Sequence, residues 1–319
     1  MRSWPYLYLL VVAACIQDSS RQHPGDPDMP DAPAPTADAP PGVVPISTIA
    51  LTVDDLTFGI VGDTRPPMSN DTASYPTAII TAIWKGVAAA APGFAVSTGD
   101  YMYVSSSGAE ANPQLDLYLG ARMAYSGPVF AALGNHECAT ATASNCGPGA
   151  PDGTPVSYQT FLRRMVQPLG VSTPYFMVRV DPPGGAWSAK VVVVAANAWS
   201  EDQARWLEDA MAEATTYTFV VRHEPDSATT APGVSPSKQI IGRHPLTMQI
   251  VGHSHSYGRL SQKELLVGNG GAPATGSLPY GYVVARRRAD GAIEFSAYRW
   301  DTNVRFDRFA VWADGTAAP

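Results

Sequence analysis

Residues 249–259 read QIVGHSHSYGR, and this stretch decides how the rest of the chain is read. Ile250 and Val251 form a short apolar run that meets Gly252 and then two histidines one residue apart. Side chains two apart along an extended segment share a face. His253 and His255 are therefore expected to present two imidazoles to one spot at the mouth of a strand. The chain holds only six histidines, so placing two of them together asks for a reason beyond a polar loop.

The length, 319 residues, with 45% apolar content, suits one large domain with a substantial core. The formal net charge is −7, of which residues 16–45 contribute −4 (five Asp, one Arg), Arg2 +1 and residues 46–319 −4. A mildly acidic domain without a long Lys/Arg run argues against general nucleic-acid binding. It leaves room for a small phosphorylated substrate, because a bound metal pair would add positive charge locally.

The N-terminus, MRSWPYLYLLVVAAC, places one Arg before an apolar stretch that ends in small residues and Cys15. It is too short to span a membrane and suits an export signal. VVAAC resembles the lipobox of bacterial lipoproteins, which implies cleavage before Cys15 and a lipid anchor on it; an ordinary signal with an incidental cysteine is the alternative. The polar, Pro-rich segment 16–48 reads as an extended tether, and residues 49–315 as the folded domain. The expected location is the bacterial cell envelope. In such an oxidising compartment, Cys138 and Cys146 are expected to close a small loop as a disulfide.

From about residue 50, apolar strands alternate with helical segments. LTFGIVG (56–62), FAVST (94–98), VFAAL (129–133), VVVVAA (191–196), YTFVV (217–221) and TMQIV (247–251) read as strands. Residues 75–91 read as a helix with Pro76 in its first turn and Ile79, Ile80, Ile83, Trp84 and Val87 on one face. Residues 200–214 read as a helix opened by a Ser200/Gln203 capping box. GYVVARRRADGAIEFSAYRW predicts a hairpin turning at Asp290-Gly291. The pattern is that of an α/β domain with antiparallel pairing late in the chain.

Polar motifs follow these strands: Gly62-Asp63-Thr64-Arg65, Gly99-Asp100-Tyr101-Met102-Tyr103, Gly134-Asn135-His136-Glu137, His223-Glu224-Pro225, and His253 with His255. Loops at strand ends are where α/β folds place binding groups. One Gly-Asp step is weak as a signal; five such motifs in one domain are not. The order GD, GDxxY, GNHE, VxxH, GHxH resembles the calcineurin-like metallophosphoesterases, and GHSHSYGR with GDYMY looks most like their purple acid phosphatase branch. The resemblance implies an αββα sandwich of two mixed sheets flanked by helices, with a dinuclear metal site at strand-end loops. It also implies two metal ions, iron with iron, zinc or manganese.

Carried over by motif, Asp100 bridges the metals. One takes Asp63, Asp100 and His255, with Tyr103 either a further ligand or packed beside the site. The other takes Asp100, Asn135, His223 and His253. A hydroxide bridging the pair would attack phosphorus, with His136 stabilising the transition state or protonating the leaving oxygen. Arg65 stands where many family members have a histidine ligand and cannot coordinate a metal; it reads either as a fork for a substrate phosphate oxygen or as the partner of a carboxylate. Glu137 orients His136 or is structural. Tyr101, Tyr257 and Trp199 stack on a substrate ring or pack internally, Arg259 reads as a support behind the metal histidines, and the loops 104–114 and 138–153 as pocket walls. The function this implies is hydrolysis of phosphomonoesters outside the cytoplasm. The alternatives are a phosphodiesterase acting on nucleotides or phospholipid headgroups, and a metal-stabilised surface module without turnover.

Overall fold

The computed structural model describes residues 47–138, 146–150 and 153–319. The expected signal segment with Cys15, nearly all of the tether and most of the 138–153 loop lie outside the described residues. The elements in chain order begin with β1 (Thr48–Thr52), β2 (Thr57–Val61), α1 (Thr77–Ala89), β3 (Phe94–Ser97), α2 (Ala111–Arg122), β4 (Val129–Ala131) and α3 (Val156–Phe161). There follow β5 (Phe176–Asp181), β6 (Ala189–Val194), α4 (Glu201–Ala212), β7 (Tyr217–Arg222), α5 (Val234–Ile241) and β8 (Met248–Val251). The chain ends in β9 (Tyr257–Ser261), β10 (Glu264–Val267), β11 (Gly281–Arg287), β12 (Ile293–Arg299), β13 (Arg305–Val311) and β14 (Ala317–Ala318).

These strands make two seven-stranded mixed sheets, β1-β5-β6-β7-β8-β10-β9 and β14-β13-β12-β11-β2-β3-β4. In the first, β6, β7, β8 and β10 run parallel. In the second, β2, β3 and β4 run parallel, and β11 joins β2 antiparallel. The parallel strands are buried along their whole length, which is why their sequences are unbroken apolar runs rather than alternating ones. The inner faces meet through aromatic pairs. Phe58 of β2 stacks on Phe94 at 5.1 Å and meets Phe219 of β7 edge-on at 5.0 Å. Trp206 and Leu207 of α4 pack with Val192, Val194 and Val220 on the outer face of the first sheet. On the second sheet, a Cβ at Gly59 would lie 2.6 Å from Val87 of α1. The fold is thus the expected αββα sandwich.

Local differences have physical reasons. Pro76 caps α1 instead of entering its first turn. Ser200 accepts the Gln203 backbone N–H at 3.1 Å, but only half of the capping box forms. The Gln203 amide turns away to bind the backbone of Ala195 and Ala198, tying the helix start to the end of β6. The hairpin turns at Asp290-Gly291 as expected, with Gly291 at φ 90°. β1 pairs with β5 from Thr48 and β14 pairs with β13 through Ala318. Among the described residues, strand pairing thus includes Thr48 at one end and Ala318 at the other.

Phe58 joins the two sheets from a position with no exposure. Its replacement by Ala is expected to lower unfolding free energy by about 3–5 kcal/mol, read from urea denaturation. A loss under about 1 kcal/mol would contradict this packing.

Candidate metal centre

Five loops leave the C-terminal ends of β2, β3, β4, β7 and β8 and converge. They carry Asp63, Asp100, Asn135 with His136, His223, and His253 with His255. Four of the non-glycine residues with positive φ are among them: Asp63 (55°), Asp100 (58°), His253 (72°) and His255 (44°). The left-handed region is costly for such residues, and strain of this kind gathers at functional sites. It also corrects the expectation for 249–259. β8 ends at Val251, and His253 and His255 sit in a left-handed turn rather than on an extended strand. Alternation does not apply, and the two imidazoles reach two different places.

Asp100 stands between those places. Its Oδ1 lies 3.3 Å from His223 Nε2, and its Oδ2 lies 4.0 Å from His255 Nε2. Asp63, Asp100 and His255 form one cluster of donor atoms, with His255 Nε2 3.7 Å from Asp63 Oδ1. In the second cluster, Asn135 Oδ1 lies 2.8 Å from His223 Nε2 and 3.0 Å from His253 Nδ1, and the two ring nitrogens are 3.3 Å apart.

The support around these atoms fixes their protons. His223 Nδ1 lies 2.8 Å from the Thr98 carbonyl oxygen, and His255 Nδ1 2.9 Å from that of Pro273. A carbonyl only accepts, so each Nδ1 carries a proton and each Nε2 faces inward. Burial pushes the His223 and His253 imidazoles down, toward the neutral form. Asn135 Oδ1, Asp100 Oδ1 and His223 Nε2 are then acceptors facing acceptors. The same imbalance holds for the acids. Burial, then the charge of Asp100, raises Asp63 well above the ordinary carboxylate range, against the His253 N–H and Arg65. Burial would raise Asp100 as well, but His223, His136, His255 and Arg65 outweigh it and hold it well below that range. Carboxylate, imidazole and amide oxygen converging without protons between them fit divalent or trivalent metal ions of the first transition row.

Arg65 lies beside Asp100, its Nε 3.5 Å from Oδ2, and that buried Nε has no hydrogen-bond partner. Its guanidinium carbon sits 4.9 Å over the Tyr103 ring. Tyr103 also meets His136 edge-on at 4.3 Å, and among the described residues its hydroxyl makes no hydrogen bond to Asp63, Asp100 or His255. His136 donates its backbone N–H to Asp100 Oδ1 at 3.1 Å, and its Nε2 is 3.9 Å from Oδ2. Burial pushes its imidazole down to about 4, so it is neutral near pH 7.

Glu137 proves structural. Its buried carboxylate accepts the backbone N–H groups of Gly134 (2.8 Å), Asp100 (3.0 Å), Tyr101 (2.8 Å) and Met102 (3.2 Å). Burial and the Asp100 charge push it up to about 8, against these donors. Gly134 is compelled by the same crowding, since a Cβ there would lie 2.3 Å from Asp100 Oδ1. At Gly252 a Cβ would lie 2.3 Å from Asp63 Oδ2.

Of the alternatives open for Tyr101 and Tyr257, internal packing is the one seen, whereas Arg259 departs from expectation. Tyr101 is buried, its hydroxyl donating to backbone carbonyls of Ser97 and Ala132, and it packs on Tyr118 and Phe161. Tyr257 donates to Asp307. Arg259 is half exposed, pairs with Asp307 at 3.5 Å and covers Phe309, so it does not support the histidines. The Gly-rich segment 267–273 braces Asp63: Gly270 N–H donates to the Gly62 carbonyl (2.7 Å) and Ala272 N–H to that of Asp63 (2.8 Å). Part of the 104–114 wall is the first turn of α2. Glu224 is a residue that sequence reasoning left without a role. It is buried, burial pushes it up to about 7, and its carboxylate joins His223 and His253 in the second cluster. Its position directly after a ligand-type histidine was the available signal.

The αββα sandwich carries two adjoining donor clusters at its strand ends, the frame of a dinuclear metal centre. The chain belongs to the calcineurin-like phosphoesterases, whose family profile matches residues 56–257. Two solved structures are similar in fold. The purple acid phosphatase PPD1 from yellow lupin (Lupinus luteus) seeds aligns at 13% identity and a TM-score of 0.56, over 82% of this chain and 55% of the lupin chain. A dimetal phosphatase from Danio rerio aligns at 13% identity and a TM-score of 0.56, over 82% of this chain and all of the fish chain. This chain thus spans little more than half the length of the lupin protein. No curated protein matches the sequence significantly.

Replacing Glu137 with Ala leaves four buried N–H groups without an acceptor and is expected to cost roughly 3 kcal/mol or more of stability, measured by chemical denaturation. A variant as stable as the parent would show that the clasp does not hold the loop.

Proposed function

We propose that the protein is an exported phosphomonoesterase that works with two metal ions. The observation that carries this reading is Asp100, whose two carboxylate oxygens face separate donor clusters built from five strand ends. Asp63, Asp100 and His255 would hold one ion, with Tyr103 at its edge, and Asp100, Asn135, His223 and His253 the other. Iron with iron, zinc or manganese suits this mixture of oxygen and nitrogen donors. Bound there, the pair would supply Lewis-acid activation of a phosphoryl oxygen and of a water nucleophile.

The chain's own groups do the rest. The guanidinium of Arg65, paired with Asp100 through Nε at 3.5 Å and stacked on Tyr103, would offer its fork to a phosphoryl oxygen. Neutral His136, fixed through its backbone on Asp100 and its ring on Tyr103, donates a hydrogen bond to developing charge on the leaving side. These two donors distinguish an enzyme from a non-catalytic metal-stabilised module, which needs neither.

The reading extends to location. The signal-like stretch ending at Cys15 supports export and lipid anchoring, and the bond between Cys138 and Cys146 is in keeping with an oxidising compartment. Cys15→Ser is expected to move the expressed protein from the membrane fraction to the soluble fraction; retention in the membrane would refute the anchor.

Activity is tested on the metal-loaded protein with p-nitrophenyl phosphate and its bis-ester. The monoester is expected to turn over faster; a preference for the bis-ester would favour a phosphodiesterase. His136→Ala should lose about 10²–10⁴-fold in kcat while keeping its metals, and Arg65→Ala should raise KM or lower kcat. A His136→Ala protein of full activity would overturn the catalytic reading. Unchanged KM and kcat in Arg65→Ala would remove the phosphate fork.

A further inference from the structure

Glu224 presents an unbalanced charge. The side chain is buried without exposure. Its Oε1 accepts the Asn197 side-chain N–H at 2.6 Å, and its Oε2 is buried with no hydrogen-bond partner. A buried carboxylate in this state is unfavourable unless a cation or donor completes it. The neighbouring fixed cation does not. The guanidinium of Arg222 engages the backbone carbonyl of Glu224 (2.8 Å), the Ser237 hydroxyl (2.8 Å) and Asp226 (2.6 Å) instead of this carboxylate. What adjoins Glu224 is metal-ligand chemistry. One carboxylate oxygen lies with nitrogens of His223 and His253 in a cluster whose members are all within 4.8 Å of one another.

The surroundings hold it there. Asn197 belongs to a single helical turn, Ala196–Ala198, that follows β6. The carbonyl of Asn197 accepts the Cys146 N–H at 2.8 Å, so disulfide-bonded Cys146 braces the residue that positions Glu224. The two donor clusters therefore differ in their neighbours. The cluster of Asp63, Asp100 and His255 has the cation of Arg65 beside it, whereas the cluster of Asn135, His223 and His253 has an anion.

We propose that Glu224 belongs to the second metal pocket, adding a second negative charge to that of Asp100 beside two imidazoles and an amide oxygen, and so setting that pocket's metal affinity. This rests on the two-metal reading above. Asn197 is a positioning residue for it. The carboxylate needs no substrate contact for this role, so its removal acts first on metal retention and only through that on turnover.

The test uses the full chain, stripped with a chelator and titrated with Co²⁺ or Zn²⁺ against a chromophoric chelator, with bound metal counted by elemental analysis. The parent is expected to bind two ions. Glu224→Gln is expected to bind one of them about 10–100-fold more weakly and to alter the Co²⁺ absorption spectrum, while the other ion binds as before. Glu224→Asp should recover part of the affinity. If Glu224→Gln fails to fold, Asn197→Ala serves in its place and should weaken the same ion. Two ions held by the parent and, with unchanged affinity and spectrum, by the variants would overturn the role of Glu224 alone. A parent chain that binds no metal would overturn the two-metal reading and this inference with it.

Discussion

The clasp that Glu137 makes on four backbone N–H groups is the interaction on which the centre depends. Asp100 occupies a left-handed backbone position, and nothing in the intrinsic preference of the chain keeps it there. The carboxylate of Glu137 binds the amides of Asp100, Tyr101 and Met102 on one side and of Gly134 on the other. It thereby joins the loop after β3 to the loop after β4 and sets the direction in which Asp100 points. The Asp100 side chain then accepts the His136 N–H, so His136 is placed by the group that divides the two clusters. On the far side, Asp63 receives the His253 N–H at 2.9 Å and 3.1 Å through its two oxygens. Each acid thus fixes a neighbour's backbone while its charge faces inward.

Much of this was legible in the residues. The buried parallel strands announced themselves as β-branched runs, and the polar motif after each marked where the site would form. The order of those motifs carried the family. What could not be read was geometry that depends on distant partners. Strand alternation predicted one target for His253 and His255, but the turn that carries them is left-handed, and Asp63, 190 residues earlier, holds His253 in it. Glu137 looked like an aid to His136 because the two are adjacent; three of its four partners, Asp100, Tyr101 and Met102, lie more than thirty residues away. Arg259 lies near the histidines in sequence, yet β9 carries it to the sheet edge and Asp307. Strands β1, β5, β13 and β14, at or next to a sheet edge, and the short helix α5 left no clear pattern, since such elements owe their structure to pairing and packing more than to periodicity.

The two donor clusters differ in their surroundings. The cation of Arg65 adjoins the cluster of Asp63, Asp100 and His255, with its Nε 3.5 Å from Asp100 Oδ2, and the buried carboxylate of Glu224 adjoins the other. Tyr103 lies beneath that arginine, so its ring is engaged by cation–π contact and by His136. The same arginine keeps a buried Nε without a hydrogen-bond partner.

The most direct test of the account is anomalous X-ray scattering from crystals of the metal-loaded protein, collected at the iron, zinc and manganese edges. The account predicts two anomalous peaks flanking the Asp100 carboxylate, one beside Asp63 and His255 and one beside Asn135, His223 and His253. A single peak away from Asp100, or none among the five strand-end loops, would contradict it.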